Sequence, residues 1–183
     1  MHSGGGFVKV RRQLGRLEPM ILDPLRSVND NEWHRAPDGK WTIAQILSHL
    51  AVGVDLVGVT FEARAGKENM ERRATPKQSL LRHLLLGVGR IPRGLRSPKV
   101  VTPGERPEPE EIQAQFRMGV ERIERILDEW PEEKQVAVFV AHPIMGDLNL
   151  PEWIRFHFVH CRHHSIQIRE RLRWLRTREA AVD

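Results

Sequence analysis

The chain has 183 residues, 29 Lys or Arg against 24 Asp or Glu, a formal charge of +5 and one cysteine, Cys161. That length suits a single domain over residues 1–183 with a real core, and is short for two. One cysteine excludes an intramolecular disulfide and fits a reducing, cytoplasmic setting.

The start, Met1-His2-Ser3-Gly4-Gly5-Gly6, lacks the charged-then-apolar pattern of a secretory signal, and residues 1–6 are expected to be flexible. No window approaches the roughly 20 apolar residues of a membrane span, so no membrane partner is expected. From Phe7 to Val28, Leu14, Leu17, Ile21, Leu22 and Leu25 keep a helical rhythm and predict a first helix, kinked or delayed by Pro19 and Pro24. Residues 27–40 are a turn-rich connector. Thr42 and Gln45 then form a T-x-x-Q capping box, with Trp41 and Ile46 as a hydrophobic staple, so a second helix starts at Thr42 and runs to about Arg64. It is apolar almost all round, as a helix inside a bundle is. His49 lies on it in line with Ile46, Gly53 and Leu56. Gly53, one turn on, removes a side chain beside the imidazole and leaves room for a ligand. The competing reading of His49 is a core histidine bonded to a backbone carbonyl.

Residues 66–107 form an irregular connector, with a short helix expected from Pro76 to Leu86 and His83 as a surface or packing residue on it. Arg90, Arg93, Arg96 and Lys99 make the connector cationic; folded over the mouth of a site it would act as a lid and bind anions. A third helix opens near Pro109, with Glu110 and Glu111 favourably placed against its dipole, and ends at Pro131. Val136 to Val140 has strand character but no evident second run to pair with, and reads as an extended connector. Asn149 with Glu152 as box and Leu148 with Trp153 as staple open the fourth helix, where Pro151 is tolerated in the first turn. Four long amphipathic segments without confident strand pairs predict an all-α four-helix bundle.

The fourth helix carries His157-Phe158-Val159-His160-Cys161-Arg162-His163-His164. His160 and His164 are one turn apart, which puts their rings on one face with Cβ atoms about 6 Å apart. Two imidazoles on an apolar stripe are costly unless a partner accepts their polarity, and one metal ion serves both. A bundle can bring His49 to that pair, giving three imidazoles with a further position for water or substrate. Neutral nitrogen donors suit zinc, nickel or iron. H-E-x-x-H and the E-x-x-H repeats of di-iron bundles are absent. Cys161 points about 100° from His160 and reads as a structural thiol. His163 is similarly rotated from His164 and reads as a packing or supporting residue. His157 shares the face of His160 and lines the pocket or substitutes for a ligand. His142 belongs to the pocket rim or a surface loop, His34 to the surface, and Gln167 either orients a ligand ring or faces solvent.

The segment Trp41-Thr42-Ile43-Ala44-Gln45-Ile46-Leu47-Ser48-His49-Leu50, with His142-Pro143-Ile144-Met145-Gly146 and His160-Cys161-Arg162-His163-His164-Ser165-Ile166-Gln167, resembles the DinB-like superfamily of DinB/YfiT-type metalloenzymes. The resemblance covers residues 30–65 and 108–178. It implies a helical bundle holding a divalent metal on three histidines, carried over to His49, His160 and His164. It also implies a thiol-dependent S-transferase or isomerase using bacillithiol, mycothiol or a similar low-molecular-weight thiol. Transfer of such a thiol to an electrophile is the first expectation and metal-dependent hydrolysis the second. A non-catalytic metal-binding bundle is a third reading. Nucleic-acid binding through the Arg-rich tail, Arg169 to Arg178, is the weakest, since arginine on a helix is ordinarily a solvated surface. Trp174 and Leu175 would leave apolar area for a homodimer.

Overall fold

In the computed structural model, which describes residues 4–91 and 98–179, the chain is mostly helical with one two-stranded sheet. Helix α1 spans Gly4–Leu14 and α2 Leu17–Leu22, with a 3-10 turn at Asp23–Leu25. The break at residues 15 and 16 precedes both prolines, where one helix, kinked or delayed by them, was expected. Its cause is Pro19, which lacks an N–H and whose ring would meet the carbonyl of Gly15 in a continuous helix. Placed in the first turn of α2, Pro19 gives up no intrahelical bond.

Helix α3, Ile43–Glu62, begins where its capping box dictates. Thr42 Oγ1 accepts the Gln45 N–H at 3.1 Å and Gln45 Oε1 accepts the Thr42 N–H at 3.1 Å. By length and composition α3 is apolar enough to cross a membrane, contrary to the sequence-based expectation for any window. Here its apolar residues Ile43, Ile46, Leu47, Leu50, Val54 and Phe61 are buried in the core.

The segment after α3 is more ordered than expected. Its Met70 N–H donates to Ala137 O, and Thr75 and Gln78 form a second capping box that starts α4, Pro76–Val88. A left-handed Gly89, φ 68°, closes that helix. A 3-10 turn at Lys99–Val101 then packs on α3.

Helix α5, Pro109–Glu129, makes the most extensive helix–helix contact of the fold, with α3. The two come together at Gly119, where a Cβ would lie 2.9 Å from the Asp55 backbone nitrogen and 3.0 Å from its Cα. Arg122 fastens the crossing by ion pairs to Asp55 (3.3 Å) and Glu62 (2.5 Å).

Val136 to Val140 is not an unpaired connector. Val136 belongs to α6, Glu132–Ala137, and β1, Phe139–His142, pairs antiparallel with β2, Gly146–Asn149. The second strand is polar and lay hidden in the entry to the last helix. It is held from outside the hairpin: Asp147 N–H donates to Arg73 O at 2.8 Å, and Arg73 N–H donates to the Asp147 carboxylate at 2.8 Å.

Helix α7, Leu150–Glu179, is the longest element and starts at the expected box: Glu152 N–H donates to Asn149 Oδ1, and Asn149 N–H to Glu152 Oε2, both at 3.0 Å. It packs against α1, α2 and α3. Leu175, expected to leave apolar surface, is buried, and Trp174 is half-covered with the Arg178 guanidinium 4.9 Å from its ring.

Candidate metal centre

Thr42 fixes the start of α3, and seven residues on, nearly two turns, His49 comes to face α7. The α7 pair His160 and His164, one turn apart, meets it. His160 Nε2 lies 3.1 Å from His49 Nε2 and 3.0 Å from His164 Nε2. The three ligand nitrogens lie within 4.8 Å of one another, so the cluster could hold a metal ion. His49 and His164 are buried and His160 half-buried.

The rings are fixed by what their other nitrogens touch. His49 Nδ1–H donates to Val101 O at 2.8 Å, and His164 Nδ1–H donates to Gln167 Oε1 at 2.8 Å. A carbonyl or amide oxygen only accepts, so both rings carry their proton on Nδ1 and present a bare Nε2 to the centre. The Gln167 amide also donates from Nε2 to His163 Nε2 at 3.3 Å. Trp41 stands 5.2 Å from His49 and stacks on His164 at 6.5 Å between ring centroids, while Phe156 stacks on His160 at 5.1 Å.

Burial keeps these rings neutral. It lowers His49 against an opposing bond to Val101, lowers His160 well below its ordinary value with help from the neighbouring imidazoles, and lowers His164 to about 3. A single proton on His160 Nε2 can point to only one of its two neighbours, leaving lone pairs facing each other. An ion satisfies all three at once. Nitrogens about 2.1 Å from one ion, at angles between about 90° and 109°, lie about 3.0–3.4 Å apart, which the two short spacings match. These two spacings and the all-nitrogen donor set fit a divalent cation.

A model of the DinB superfamily matches residues 13–168, which include all three histidines. The chain belongs to the DinB superfamily. No curated protein and no solved structure matches it.

Around the DinB cluster the other expected residues divide. Gly53 lies one turn beyond His49 with open space where a Cβ would sit, nothing coming within 4 Å. His157 is buried, stacked on Trp153 at 5.6 Å, with neither ring nitrogen hydrogen-bonded among the described residues, and burial lowers it to about 3. It is not one of the three converging rings.

His142 is no surface-loop residue. It ends β1, buried against Trp153 and Phe156, and its Nδ1 accepts the Ile144 and Met145 N–H groups at 3.2 and 3.3 Å. Burial lowers it to about 4. His34 is half-buried where exposure was expected. His83 is exposed and bonds Ser79 O. Cys161 is buried and burial pushes its thiol up, away from reactivity. Arg90 and Lys99 are exposed, and Arg93 and Arg96 lie outside the described residues.

Sequence reasoning missed three parts. Val101 acts through a backbone carbonyl, which no side-chain pattern marks. Trp41 was read only as a staple, yet it walls two of the three histidines. Gln45 was read only as a cap, yet its Nε2 donates to Gly104 O and Glu105 O at 3.4 and 3.2 Å, tying the segment after Val101 to α3.

Proposed function

We propose that this DinB protein is a metal-dependent enzyme whose ion is held by His49, His160 and His164, and that it transfers a low-molecular-weight thiol to an electrophile. The observation that carries the reading is the meeting of three Nε2 atoms, two of them stripped of protons by bonds on the far side of the ring. Zinc or nickel is the expected ion, with iron next, because the donors are neutral nitrogens. When bound, such an ion supplies a Lewis acid that lowers the pKa of a thiol or a water. The protein orients the ligands: Val101 O and Gln167 Oε1 hold two imidazoles in one tautomer, and Trp41 and Phe156 cover ring faces. The sulfur is expected to come from outside, since Cys161 is buried and its thiol held protonated. The reading also treats the fold as a four-helix bundle in which α1 and α2 together fill the first position, both packing on α7 and α5.

The test is turnover of 1-chloro-2,4-dinitrobenzene with bacillithiol or mycothiol, before and after chelation, by wild type and His49→Ala. Thiol-dependent turnover that chelation and the substitution both abolish supports the transferase. Chelator-sensitive cleavage of esters or amides without any thiol would replace it with the hydrolase.

A further inference from the structure

Helix α4 and the first turns of α7 border an open cleft of about 240 Å³ lined by Arg82, His83, Leu86, Gly87, Glu152 and Arg155. None of the three clustered histidines lines it. Its charge does not balance. Among the described residues Glu152 is the one carboxylate on its wall, and both its oxygens are also engaged elsewhere: Oε1 with Arg72 Nη1 at 2.9 Å, Oε2 with the Asn149 N–H at 3.0 Å. The Arg82 side chain is only 12% exposed, and its Nε forms a loose ion pair with that carboxylate at 3.7 Å. That is too long for a hydrogen bond. Arg82 Nη1 is buried with no hydrogen-bond partner among the described residues. Arg155, half-buried, makes no hydrogen bond or ion pair among the described residues. Asp147, the next acidic group along β2, is bound to the Arg73 backbone N–H.

A buried guanidinium N–H without an acceptor is costly, and an oxyanion in the cleft would supply the missing oxygen. We infer that this cleft is a binding site for a small oxyanion, a carboxylate or a phosphate, gripped between Arg82 and Arg155. The planar guanidinium fork matches two oxygens of either group. Leu86 and Gly87 give the remaining wall an apolar surface on which the carbon portion of an organic acid or phosphate ester rests. The volume is below that of a pocket for a drug-sized molecule, which restricts the ligand to a small one. His83, its Nδ1–H donating to Ser79 O at 2.7 Å, also lines the cleft. The site stands independently of the proposed metal chemistry.

Calorimetric titration of the full chain with inorganic phosphate and with succinate tests it, at low salt and at about 150 mM salt. The expected result is saturable binding of one or both anions that persists at the higher salt and weakens about tenfold or more in Arg82→Met and in Arg155→Met. Arg176→Met, on the exposed end of α7, leaves it unchanged. Tighter phosphate binding assigns a phosphorylated ligand, and tighter succinate binding a carboxylic acid. Arg155→Met keeps the test decisive should Arg82→Met not fold, since among the described residues Arg155 makes no hydrogen bond or ion pair that the substitution would remove. Binding of neither anion, or binding indifferent to the substituted arginine, overturns the inference.

Discussion

At the residue scale the centre is built from pairs, two of the three ligand rings being held by a hydrogen bond to a second group. The bond from His164 to Gln167 is the one a side-chain substitution can remove, together with the Gln167 contact to His163. Gln167→Ala is expected to weaken metal affinity about 10–100-fold while leaving helix content unchanged. Competition with a chromogenic chelator, alongside far-ultraviolet circular dichroism, measures both; unchanged affinity would show that Gln167 does not position the ring.

His142 gives a pH prediction. Its folded pKa of about 4 lies below the ordinary 6.5, so between those values the unfolded chain takes up a proton that the folded one refuses. Stability therefore rises with pH across this window, is fully present above 6.5, and is lost as pH falls toward 4. The loss from this ring is about 3 kcal/mol at its limit. Urea unfolding of metal-free protein at pH 7 and pH 5 should show the loss, with a shallower slope in His142→Gln. Equal slopes in the two proteins would remove His142 from the account.

At the scale of elements, two glycines make opposite predictions. Gly119→Ala places a methyl against the backbone of Asp55, so it destabilises by about 1–3 kcal/mol despite the better helix propensity of alanine. Gly53→Ala meets nothing within 4 Å and is neutral or stabilises by up to about 1 kcal/mol. Thermal unfolding of the two variants reads the difference directly; the reverse order would mean that the α3–α5 crossing is not tight at Gly119. The elements also show what the sequence could reveal. The starts of α3 and α7 were legible because capping boxes are local, with both partners three residues apart. The hairpin was not, because β2 depends on Arg73, far away in sequence, rather than on strand propensity. The N-terminal break was misplaced because a proline acts on the carbonyl four residues before it.

At the scale of the whole molecule, the candidate site was legible to the extent that side chains compose it. His160 and His164 announce themselves by one-turn spacing, and a buried apolar α3 brings His49 to them. The carbonyl of Val101 and the orphaned Nη1 of Arg82 depend on how distant segments pack, and no spacing encodes either.

The central claim is that one ion sits among His49, His160 and His164, and elemental analysis of protein purified without immobilised metal tests it most directly. The account predicts close to one divalent ion per chain in wild type and a large loss in both His49→Ala and His164→Ala, each still folded. Equal metal content in wild type and the two variants would contradict it.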